Sequence, residues 1–162
     1  MNKKSERYVL KTTTVAALLL LPFAIVKRSF KDWIIVYLVS YIGNSFADRY
    51  LVSKGYLKYN TRPYPDKFLI NAPFDFLVYP LLLLYYNQAT LNSRPFITVL
   101  KLFPFVLPQM AVETILEKKT DLIQWRKGWS WQHSLVSLLA KFLLCRMVIG
   151  LIRTLNNRNL SI

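Results

Sequence analysis

Only eight acidic residues accompany the 22 Lys and Arg of this chain, so an acid set among apolar neighbours stands out. Asp75 lies between Phe74 and Phe76, seven residues into an apolar stretch over 68–86. Lys141 lies eight residues into another apolar stretch, over 133–152. Ionisable groups in hydrocarbon are costly and are functional candidates for that reason. An acid and a base at equal depth relieve much of each other's desolvation cost. The spacing therefore predicts an Asp75–Lys141 ion pair between two helices. Such a pair can orient the helices or serve as one step of a proton or ion relay. A relay needs a chain of such groups, which favours the structural role. Lys101 and Arg146 fall together near the opposite end of the apolar layer, where two cations either snorkel to the interface or frame a small anionic site. Snorkelling is the simpler expectation.

A second group lies in ETILEKKTDLIQWRKGWSWQ, residues 113–132. Glu113, Glu117 and Asp121 recur every four residues, which places them along one helix face. That face is either solvated or able to hold a cation. No His or Cys joins the acids, so a metal site is not expected. Trp125, Trp129 and Trp131 follow. Tryptophan favours the membrane interface, where its ring is apolar and its N–H finds a partner, so all three read as interface anchors. His133 and Ser134 are adjacent, which does not create a nucleophile–base geometry. There is no GxSxG, HExxH, CxxC or Walker sequence. Neither catalytic residues nor a cofactor are assigned. The single cysteine, Cys145, excludes an intramolecular disulfide.

The elements that must hold these residues are strongly apolar. Hydrophobic residues make up 54% of the 162, above the usual range of soluble domains. Five stretches read as helices: 12–26, 33–53, 68–86, 96–114 and 133–152. Each is apolar around most of its circumference, and few amphipathic helices remain to cover such a core, which argues for membrane spans. The first is short, with Lys11 and Lys27 placed to snorkel outward, and no cleavage site of the small-x-small kind follows it. Pro63 and Pro65 force an extended path in the linker 54–67. Pro104 and Pro108 should bend the fourth helix. Residues 115–132 form an interfacial segment. The expected fold is all-α, a single transmembrane helix bundle of five spans, with Ser40, Asn44, Asn71 and Tyr79 as polar contacts between helices.

The net charge of +14 would suggest nucleic acid in a soluble protein. Here the basic residues lie between apolar stretches, without an aromatic–basic module or zinc-finger spacing, so nucleic acid is not an expected partner. Five spans with the N-terminus inside place 13 Lys and Arg in the inner regions and six in the outer ones. The positive-inside rule thus favours a cytoplasmic N-terminus, against the contrary pull of Lys27, Arg28 and Lys31.

Two blocks carry a family resemblance. FDFLVYP, residues 74–80, and ETILEKKTDLIQWRKGWSW, residues 113–131, resemble those of an uncharacterised family of small multi-pass membrane proteins of spore-forming Gram-positive bacteria. The resemblance covers roughly residues 33–153. Asp75 falls at the family's acidic position, and Glu113, Glu117, Thr120, Leu122, Ile123, Trp129 and Trp131 fall on the second block. It implies location in the cell membrane and no assigned reaction. The expectation is an accessory or assembly component of the cell or spore envelope, in contact with the lipid bilayer and a membrane protein partner. The alternative is a small transporter or channel subunit that uses Asp75 and Lys141, with Arg146 and the proline-bent helix. A membrane-embedded enzyme using Glu113 or Asp75 is a third, weaker reading.

Overall fold

The computed structural model describes residues 3–25, 30–63 and 66–159. Lys27, Arg28 and Pro65 lie outside these residues. The fold is all-α: α1 (Lys3–Ile25), α2 (Phe30–Ser53), α3 (Tyr79–Ala89), α4 (Pro95–Leu100), α5 (Phe103–Lys119) and α6 (Trp131–Asn159). A π-helical turn, Phe74–Val78, leads into α3. Two short strands, β1 (Leu57–Lys58) and β2 (Gln124–Trp125), pair antiparallel and tie the loop after α2 to the loop after α5.

Apolar side chains cover much of the described exterior, while a stripe of polar residues is buried beside the hydrophobic core. On α2, Ser40, Asn44 and Asp48 recur every four residues and are all buried, whereas Leu38, Ile42, Phe46 and Tyr50 recur likewise on the opposite face and are exposed. A soluble helix shows the reverse pattern. Apolar residues such as Leu19, Phe23, Phe96, Val136 and Leu151 continue this exterior on α1, α4 and α6. Among the described residues, Lys3–Ile25, Pro95–Lys119 and Trp131–Asn156 are long and apolar enough to cross a membrane. The predicted second and third stretches are not of this kind. α2 has sufficient length, 24 residues, but carries charge near both ends and the polar stripe between. The third stretch becomes helical only at Ala72, and the positions from Ala72 to Ala89 reach about 27 Å at 1.5 Å per residue. It is instead the central helix: Tyr79, Leu83, Leu84 and Tyr86 are almost fully buried, with α2, α1 and α6 around it. Phe142 of α6 meets Tyr79 and Tyr86 edge-on, both with ring centroids 5.5 Å away.

The prolines act as their chemistry requires. Pro104 cannot donate to the carbonyl four residues back. The predicted bend is accordingly a break between α4 and α5 at Lys101 and Leu102, with Pro104 in the first turn of α5 and Pro108 inside it. Pro80 likewise leaves the Phe76 carbonyl without its helical N–H. The Tyr37 hydroxyl donates to that carbonyl at 2.7 Å, while the π turn carries Tyr79 N–H to the Phe74 carbonyl. α2 ends in a Schellman motif: Tyr56 N–H donates to Leu51 O and Gly55 N–H to Val52 O. Gly55 takes φ 77°, the left-handed conformation glycine adopts without penalty.

Candidate functional site

Between α1, α5 and α6 lies a cavity of about 430 Å³, within the 300–1,000 Å³ typical of ligand pockets. α1 and α5 scarcely touch one another; the cavity separates them. Val9, Leu10, Phe105, Val112, Leu116 and Leu138 supply apolar walls, and Leu57, Leu122 and Ile123 of the paired loops also line it. Asp48, Tyr59, Asn71, Gln109, Glu113, Ser134 and Lys141 contribute its polar groups.

The polar groups form two connected networks. Lys141 Nζ donates to Asp48 Oδ1 at 3.1 Å and to Asn44 Oδ1 at 2.8 Å. Asn44 Nδ2 donates in turn to Asp75 Oδ1 at 2.6 Å. The expected direct Asp75–Lys141 pair is therefore replaced by a Lys141–Asp48 pair, with Asn44 bridging to Asp75. The polar stripe of α2 explains this: it lies between the π turn and α6 and offers Lys141 a nearer carboxylate. Lys141 also lies 5.1 Å from the centre of the Tyr79 ring, a cation–π distance. The Tyr59 hydroxyl donates to Asp48 Oδ2 at 3.0 Å. Burial, and then the charge of Asp48, push the Tyr59 phenol well above its ordinary value, so it remains a neutral donor.

The second network centres on Glu113. Its Oε1 accepts from Trp125 Nε1 at 3.1 Å and from Ser134 Oγ at 2.7 Å. Ser134 Oγ accepts from Trp129 Nε1 at 2.8 Å. The predicted single acidic face does not form. α5 stops at Lys119, Thr120 is extended, and Asp121 leaves the helical register. Glu113 points into the bundle, Glu117 is half-buried and Asp121 is exposed. Nor do the three tryptophans act alike. Trp125 and Trp129 are half-buried and spend their N–H groups on Glu113 and Ser134, while Trp131 is 48% exposed. His133 bonds to Ser130 Oγ and stacks beside Trp129, so it does not activate Ser134.

At the opposite end, Lys101 Nζ donates to Ala89 O, and Arg146 donates to Thr90 Oγ1 and Thr90 O. Both cations thus reach the carboxyl end of α3, where the helix dipole favours positive charge. The structure gives both cations backbone or side-chain acceptors at this helix end. Arg153 closes the same end with a two-pronged pair to Asp32, both contacts 2.9 Å.

Sequence reasoning missed two acids. Asp48 was legible as the last member of the Ser40–Asn44–Asp48 stripe. Glu6 was not. It is fully buried; Thr61 Oγ1 donates to its Oε2 at 2.5 Å and Asp121 N–H to its Oε1 at 2.7 Å. A lone Glu among Lys and Arg carries no sequence signal for that role. Among the described residues no group of three metal-binding side chains occurs. Comparison with protein-family models, curated proteins and solved structures yields no match.

Proposed function

We propose that the chain is a polytopic integral membrane protein whose cavity between α1, α5 and α6 binds a membrane amphiphile. The carrying observation is the cavity itself: apolar walls and a buried polar wall within a bundle whose exterior is also apolar. An amphiphile can enter from the bilayer between α1 and α5 without crossing water. In this reading α2 and the π turn with α3 complete a five-span bundle, α3 crossing within a shell of longer helices. The Glu6 contacts and the strand pair gather the start of α1, residues 57–61 and residues 121–125 at one end. This end holds the larger share of Lys and Arg, which supports a cytoplasmic orientation. Resemblance in the two sequence blocks supports an accessory role in the cell or spore envelope of a spore-forming bacterium.

The test is extraction of the protein purified in mild detergent. An amphiphile should be recovered at about one per chain, and Val112→Trp, which fills the cavity from its exposed rim, should remove it. Equal recovery from both proteins rejects the reading. Transport is the second reading, favoured by the Lys141–Asp48 and Asn44–Asp75 links, which resemble part of a relay. Proton flux in proteoliposomes, abolished by Asp75→Asn, would establish it over the first.

A further inference from the structure

Glu113 lines the cavity, and its Oε1 accepts from Trp125 and Ser134. The lining is short of donors. Asn71 lines the cavity and is nine-tenths buried, yet among the described residues its Oδ1 has no partner, and neither does Gln109 Oε1, a second lining acceptor. Buried acceptors without donors cost free energy. A carboxylate head would add further acceptors, whereas an ammonium supplies N–H donors to the amide oxygens and a charge to meet Glu113. The cavity volume lies at the lower end of the ligand-pocket range, which suits one aliphatic chain better than two.

Resting on the amphiphile reading above, we infer that the cavity selects a single-chain amphiphile with a primary ammonium head, its tail along α1 and α5 and its nitrogen against Glu113, Asn71 and Gln109. The full chain in phosphatidylcholine nanodiscs is dialysed against radiolabelled dodecylamine, laurate, dodecyltrimethylammonium or putrescine, with empty nanodiscs subtracted. Dodecylamine should fill one saturable site. Laurate should bind at least tenfold more weakly, and dodecyltrimethylammonium, a cation without N–H donors, should fall between. Glu113→Gln keeps the shape of the side chain and should weaken dodecylamine about tenfold; Gln109→Leu, at a half-buried position, should weaken it severalfold. Laurate binding as tightly as dodecylamine overturns the head assignment while leaving the cavity reading intact. Putrescine binding as tightly as dodecylamine points to a free amine and overturns the tail. If no amphiphile saturates, or Val112→Trp changes none of them, the cavity reading itself falls.

Discussion

Replacing Lys141 by Met tests the central network most directly. Met preserves much of the side-chain length and removes the charge. Lys141 and Asp48 are respectively 15% and 5% exposed at the side chain, so the pair is largely shielded from water. Removing one member of a buried pair costs about 3–5 kcal/mol, because the survivor is left uncompensated. Three interactions are lost here: the contact to Asp48, the hydrogen bond to Asn44 and the approach to the Tyr79 ring. The upper half of the range is therefore expected for Lys141→Met. Asp48→Asn in the same chain removes the stranded charge and should restore at least about 2 kcal/mol, since replacing both partners is often nearly neutral. The remaining deficit reflects hydrogen bonds between membrane helices, worth about 0.6 kcal/mol on average. Reversible unfolding in mixed micelles, followed by tryptophan fluorescence and analysed as a double-mutant cycle, gives the coupling. A single variant within about 1 kcal/mol of the parent, or a double variant no more stable than Lys141→Met, would refute the assignment of Asp48 as the partner that matters.

Glu113→Ala should destabilise the fold by about 1–3 kcal/mol, because Trp125 and Ser134 lose their common acceptor; Trp125→Phe, which removes one donor, should cost about 0.5–1.5 kcal/mol, and denaturant melts will separate them. Glu6→Ala removes a charged acceptor from Thr61 and Asp121, each such bond being worth about 1.5–3 kcal/mol, and hydrogen exchange should quicken at Asp121 while the centre of α3 stays protected. Tyr37→Phe should cost about 1 kcal/mol in the parent but little in a Pro80→Ala background, where the substitution returns a backbone N–H to the Phe76 carbonyl; equal costs in both backgrounds would rule out the compensation.

The helical stretches were legible because an apolar run cannot be satisfied in any other way near lipid, and the first, fourth and fifth expected stretches overlap Lys3–Ile25, Pro95–Lys119 and Trp131–Asn156. Two departures have physical causes. α1 extends back to Lys3 through residues that hydropathy reads as flank, since the buried Glu6 fastens that turn. The third stretch turns helical only at Ala72 and Pro73, since proline is tolerated in a first helical turn but not deeper. Within the site, Asp75 and Lys141 were legible from charge in an apolar setting, and Asn44 from its place in α2. Their actual pairing was not, because depth along a helix says nothing about rotation around it. The Trp125 and Trp129 contacts were hidden for a related reason: aromatic spacing does not reveal whether an indole N–H meets headgroups or a carboxylate.

The contacts of Glu6 also bear on synthesis. Asp121 follows Glu6 by 115 positions and Thr61 by 60. At about 5–20 residues per second, roughly 6–23 s separate emergence of the first helix from that of its last anchoring N–H. Through that interval at least one of the two Glu6 carboxyl oxygens lacks its donor, so α1 is among the last helices to be fixed. A pause placed once Asp121 has left the ribosome would let this closure finish before α6 emerges, whereas an earlier stall would hold a half-fastened intermediate.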